Sequence, residues 1–210
     1  MNRRFNEIII KHIEKNLVIY FLVVLFFMIG ISSGAFTSKA LTEAENKELI
    51  VYLENFFRIV DSKAINNFSI LKQSLLNNFQ TGIVIWILGV TVIGIPIILL
   101  LIALRGFIIG FTVGFFVKQM GLRGMLFSLV SVLPQNILIV PSTIFIGVLG
   151  IGFSLMIIKS KTRKKHQYSI LNQFLLYSTL ITMVHIVIAF GCLIEAYISP
   201  FFIKYISSYM

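Results

Sequence analysis

The chain has 210 residues, of which 58% are hydrophobic and only 12% charged, and its formal net charge is +10. A water-soluble domain carries about 25% charged residues, so this chain cannot dress a water-facing surface, and its natural solvent is lipid. The positive charge does not point to nucleic acid, because the basic residues sit at the ends of apolar runs rather than along one polar face with interleaved aromatics. The single cysteine, Cys192, lies inside an apolar run, so no disulfide can form within the chain.

Residues 1–16 are basic and amphipathic. Phe5, Ile8, Ile9 and Ile13 fall at helical spacing, with Lys11 and Lys15 away from them. The segment reads as a short helix in the membrane interface, or simply as the charged flank that orients the first span. That span runs from Leu17 to about Phe36, long enough for a bilayer core of about 30 Å at about 1.5 Å per residue. It is also too long for the core of a signal peptide, and no cleavable signal is expected. Gly30 and Gly34 lie four apart near its end, a spacing that lets another helix backbone come close.

Residues 37–80 are the one substantial polar stretch. Glu43, Glu45, Glu48, Glu54 and Asp61 balance Lys39, Lys47, Arg58, Lys63 and Lys72. Thr42 followed by Glu45 is a capping-box pattern that marks a helix start. Leu49, Leu53, Phe56, Phe57 and Val60 then recur at helical spacing, and Phe68, Leu71, Leu75 and Phe79 extend or restart the pattern. The segment predicts one long or two short amphipathic helices outside the membrane. Their apolar face either packs on the protein or docks a partner.

Gly82–Leu104 reads as the second span, kinked at Pro96 and ended by Arg105. The apolar run from Gly106 to Val117 is short, and Gly106, Gly110 and Gly114 put a double small-residue series on one face. Lys118 and Arg123 follow, then an amphipathic stretch with Ser128, Ser131 and Gln135 on one side. Ile137–Ile158 reads as the fourth span. Tyr168 to about Ser199 is the last, stopped by Pro200.

Lysine and arginine concentrate on the cytoplasmic side, which places residues 1–16 and the basic loop 159–167 inside and the neutral 37–80 stretch outside. Parity then requires residues 106–135 to cross once in net terms. The expectation is a single all-α membrane domain of about five transmembrane helices, N-terminus cytoplasmic and C-terminus extracytoplasmic. It has an extracytoplasmic helical insert and a short glycine-rich third span, with Lys118 snorkelling to the outer interface.

No motif with a catalytic mechanism is present: no H-E-x-x-H, no G-x-S-x-G and no phosphate-binding loop. No catalytic residue, cofactor site or metal site is expected, and the chain does not read as an enzyme. His12, His166 and His185 are scattered, and His185 within the last span reads as a satisfied buried imidazole. Ionisable groups in membrane segments mark functional sites by default, which singles out Glu195, with Lys118 or Arg123 as its expected salt-bridge partner. Arg105 and the pair Gln135 and Asn136 complete the intramembrane polar candidates.

The order of features resembles stage II sporulation protein M of endospore-forming bacteria over essentially the whole chain. The similarity is carried by GISSGAF from Gly30 to Phe36 and RGFIIGFTVGFF from Arg105 to Phe116. It continues in GLRG from Gly121 to Gly124 and LPQN from Leu133 to Asn136. The resemblance implies a sporulation scaffold that assembles and localises peptidoglycan-degrading enzymes during forespore engulfment. It would sit in the mother-cell membrane at the septum, with stage II sporulation proteins D and P as partners. The glycine face would also suit a homodimer. From a different class, the breaks around Pro96, Pro134 and Pro141 suit a small-solute transporter or channel subunit, which would need a polar pathway.

Overall fold

The structure, a computed structural model, describes residues 14–62, 67–162 and 170–200, with the backbone alone described at 53–62 and 161–162. The interfacial reading of residues 1–13 and most of the basic loop 159–167 fall outside the described residues, as do the side chains of Leu53, Phe56, Phe57 and Val60.

Helix α1 (Leu17–Ala40) is apolar all round, as expected of a helix in lipid. Helix α2 (Glu43–Ser62) is amphipathic. Its start is the capping box read from the sequence. Glu45 Oε2 accepts from the Thr42 N–H at 2.9 Å and from its hydroxyl at 2.8 Å, while Thr42 Oγ1 accepts from the Glu45 N–H at 3.4 Å. These bonds, the backbone one foremost, hold the Glu45 carboxyl below its ordinary pKa. A depressed carboxyl contributes stability that is present above the ordinary carboxylate pKa and lost as pH falls from there through the lowered one. The protection factor at the first turn of α2, corrected for the intrinsic pH dependence of amide exchange, is therefore expected to fall at acidic pH, and Thr42→Ala should lower it at neutral pH. An unchanged protection factor in both conditions would remove the cap.

Helix α3 (Asn67–Gly89) and helix α4 (Gly94–Thr162) complete a hairpin that the hydropathy pattern conceals. The chain does not run straight from Gly82 to Leu104. It stops at Gly89, turns through 90–93 and restarts at Gly94. Val90, Thr91, Val92 and Ile93 are four consecutive β-branched residues, poor at holding a helix without tertiary support. The freed carbonyls are met: Ser154 Oγ lies 2.8 Å from Gly89 O and 2.9 Å from Thr91 O. Pro96 therefore does not kink a span. It sits in the first turn of α4, where its missing N–H costs nothing.

Helix α4 folds in half at Gly121, whose φ of 58° and ψ of −131° lie outside helical space. Only glycine adopts such angles without strain. The arms 94–120 and 122–162 lie antiparallel, with Gly147 against Ile102 and Gly150 against Ile98. The helical arm that carries Gly106, Gly110 and Gly114 is accordingly not short. It begins at Gly94 rather than Gly106 and measures about 40 Å at about 1.5 Å per residue. Residues 122–136 likewise belong to one continuous arm rather than to a separate surface helix.

Helix α5 (Ile170–Leu193) runs antiparallel to the second arm, Tyr177 beside Phe153 and Gly191 beside Ile139. It ends in a single π-helical stretch, Ile194–Ile198. Among the described residues, five helical segments thus pack together: α1, α3, the two arms of α4 and α5. Their core joins Val23, Ile85, Ile98, Ile102, Ile146, Ile188 and Cys192. Leu17–Ala40, Gly94–Ser160 and Ile170–Ile198 are long and apolar enough to cross a membrane. Large apolar side chains stay exposed all along them, including Phe21, Leu100 and Phe190, which is the surface a bilayer covers.

A seam of glycines joins α1 to the first arm of α4. The two helices are parallel. Gly30 and Gly34 rest on the backbone of Ala103 and Phe107, Gly106 on that of Phe27, and Gly110 on that of Ile31. Gly114 faces Ser38 Oγ and Ala35. The seam is capped at its far end by Lys118, whose ammonium lies 3.3 Å from Ser38 O and Lys39 O and 3.4 Å from Leu41 O. A cation on the last carbonyls of a helix also opposes the negative end of its dipole.

Candidate functional site: a polar cluster inside the bundle

Polar side chains from four helical segments meet within the bundle. From α3 come Ser74 and Asn78, both buried and one helical turn apart. The Asn78 amide donates to Ser74 O at 2.9 Å and approaches Cys192 Sγ at 3.5 Å. From the first arm of α4, Arg105 Nη2 donates to Asn78 Oδ1 at 2.7 Å. Arg105 lies opposite Asn78 because the turn at 90–93 sits midway between them in sequence. From the π-helical stretch after α5, Glu195 Oε2 accepts from Ser74 Oγ at 2.6 Å. The wider π turn rotates the residues that follow Leu193, and such turns recur at functional sites. Arg105 and Glu195 interact electrostatically, with the Cys192 thiol beside both.

The second arm of α4 adds Gln135, whose Oε1 accepts from Ser199 Oγ at 2.8 Å, both groups buried. Asn136 turns its amide back onto Val132 O at 2.7 Å. Beside the cluster lies a cavity of about 680 Å³, and Arg105, Gln135, Asn136 and Glu195 all border it. Four of the six residues singled out as intramembrane polar candidates are thus brought to one place.

The other two go elsewhere. Lys118 caps α1, and Arg123 is exposed on the second arm, so neither pairs with Glu195. The carboxylate takes a hydroxyl from Ser74 and the field of Arg105 instead. This corrects the expected Glu195 pairing. Its physical reason is the hairpin at 90–93, which brings Arg105 to the middle of a pass rather than the end of one. Ser74 and Asn78 are the residues the sequence reading missed, having been assigned to the polar insert. A signal was available: Ser74, Asn78, Gly82 and Gly89 fall on one face of α3, the stripe of small and polar residues typical of packed membrane helices.

His185 is buried on α5 against Gly82 and Phe79, with Nδ1 placed 2.8 Å from Ile181 O. Nε2 has no partner, so the imidazole is half satisfied rather than fully so. Chemically the cluster holds one cation, one anion and a chain of amides and hydroxyls that bond mostly to one another. That arrangement fixes helix positions and binds polar groups. Among the described residues no group of three or more His, Cys, Asp or Glu side chains could hold a metal ion.

The family model for stage II sporulation protein M matches residues 23–200. The match covers α1 from Val23 onward, the rest of the bundle and the whole polar cluster. The chain belongs to that family. No curated protein and no solved structure is measurably similar to it. As a stage II sporulation protein M family member it is a sporulation-related membrane protein, and its apolar helices agree with that placement.

Proposed function

We propose that this family member is a membrane scaffold that assembles and localises peptidoglycan-degrading enzymes during forespore engulfment. The observation that carries the reading is the family match over nearly the whole chain. It is joined to a bundle whose polar groups are largely spent on one another: Arg105 on Asn78, Ser74 on Glu195 and Ser199 on Gln135. Such bonds rigidify a platform. In this reading the chain crosses the bilayer five times as α1, α3, the two arms of α4 and α5. The N-terminus and the basic loop are cytoplasmic and the C-terminus is outside, in the mother-cell membrane at the septum. Helix α2 then stands on the wall side, joined to the bundle by Asn46, which accepts from Gln119. Its apolar positions Leu49, Leu53, Phe56, Phe57 and Val60 offer a docking face. By family resemblance its partners are stage II sporulation proteins D and P.

Purification from sporulating cells in mild detergent tests this. Two extracytoplasmic wall hydrolases are expected to co-purify with the wild type and to be lost with Leu53→Asp/Phe56→Asp, while the variant still inserts. Recovery with both forms would keep the scaffold and move docking to the passes or the tail. Recovery of an ATPase or a solute in place of hydrolases would sink the scaffold and install the transporter.

A further inference from the structure

A second cavity lies at the other end of the bundle, where α1 begins and α4 ends. It measures about 750 Å³ and is walled by the start of α1, the last turns of α4 and the start of α5. Its mouth carries Lys15 and Lys159, with Glu14 as the one acid among the lining residues. Its walls are apolar and open: Val18 is 76% exposed and Leu176 is 61% exposed. Gly152 forms part of the wall, and a Cβ added there would meet nothing within 4 Å. The space beside Gly152 is therefore real room rather than a packing contact. In sequence Lys159 opens the run Lys159, Lys161, Arg163, Lys164 and Lys165, which contains no acid.

We propose that this groove holds one glycerophospholipid with an anionic headgroup. Two ammonium groups at a mouth above apolar walls are complementary to a molecule with a negative head and a hydrocarbon tail. The phosphate would meet Lys15 and Lys159, and an acyl chain would lie over Val18, Gly152 and Leu176. A zwitterionic lipid brings its own cation beside the phosphate and so leaves the two lysines partly unanswered, and a soluble phosphate would leave the walls bare. Basic pockets between membrane helices recognise acidic headgroups by this same division of labour. The site needs only membrane embedding and does not depend on the scaffold reading.

The full-length chain, reconstituted in equal parts of phosphatidylcholine and phosphatidylglycerol, is released into detergent and its retained lipid is read by native mass spectrometry. Phosphatidylglycerol is expected to be retained in preference. Lys15→Gln/Lys159→Gln should weaken that preference by about fivefold for each lysine removed. Gly152→Leu, which fills the groove from a position with free space, should remove the bound lipid, while after delipidation the variant and the wild type should melt together. Equal retention of the two lipids, or full retention by Gly152→Leu, would overturn the site. Displacement of the lipid by soluble glycerol phosphate would overturn it too, marking a phosphate site without a lipid requirement. The charge variant lies at exposed positions and keeps the test decisive should the leucine variant fold poorly.

Discussion

Gly110→Leu is expected to separate α1 from the rest of the bundle. A Cβ at this position runs into the carbonyl carbon, oxygen and Cα of Ile31. These are backbone atoms held in the hydrogen-bond ladder of α1, so they cannot swing aside as a side chain tip does. Overpacking against movable side chains costs about 1–3 kcal/mol, and a backbone contact should cost at least about 3 kcal/mol by the same reasoning. That is a large part of a typical folding free energy of about 5–15 kcal/mol. Gly114→Ala should cost less, because its nearest neighbour is the Ser38 hydroxyl, which can rotate. Gly152→Leu, on the same helix α4 but facing open space, supplies the null comparison. Thermal unfolding of the delipidated proteins in detergent ranks the three variants. A Gly110→Leu protein that melts with the wild type would contradict the seam.

Arg105→Leu is expected to destabilise the bundle by about 2–3 kcal/mol, the range for a hydrogen bond to a charged group together with the partner it strands. Asn78 loses the guanidinium on its Oδ1, and Glu195 loses a neighbouring cation. Arg105→Lys should recover only part, since an ammonium lacks the planar fork. The diagnostic is coupling. Arg105→Leu/Glu195→Leu should be more stable than the sum of the single changes predicts, because the second change removes the carboxylate that the first left uncompensated. Strict additivity would mean that the two charges do not sense each other. Glu195→Gln keeps an acceptor for the Ser74 hydroxyl and should be the mildest change in the cluster.

The parts of this fold that sequence reveals are those whose physics is local. The Thr42–Glu45 cap is decided by three residues of spacing. The glycines at 30, 34, 106, 110 and 114 are visible because only a missing side chain lets two helices approach so closely. What hydropathy cannot register is a reversal of direction inside an apolar run. Residues 82–104 are apolar on both sides of the turn at 90–93, so the pattern reads as one span, and Arg105 is displaced from the middle of a pass to its end. The same blindness assigned Ser74 and Asn78 to a surface insert. Their polarity is answered by Glu195 and Arg105, which lie far away along the chain and near only in space. Gly121 separates Lys118 from Arg123 in a way that suits a turn, yet its positive φ is a property of the folded backbone.

The parallel pairing of α1 with the first arm of α4 bears on how the chain is made. Parallel neighbours cannot be joined by a short loop, and here α2 and α3 intervene. Roughly 75 residues separate Gly30 from Gly106, which is about 4–15 s of synthesis at about 5–20 residues per second. Through that interval α1 has left the ribosome while the surface it fits has yet to be translated. Its glycine face is bare to lipid, to the insertion machinery or to another nascent copy. Helix α1 thus waits for its proper neighbour, and the pairing is a late event in the making of the bundle, completed only when the turn at 90–93 returns the chain along α1.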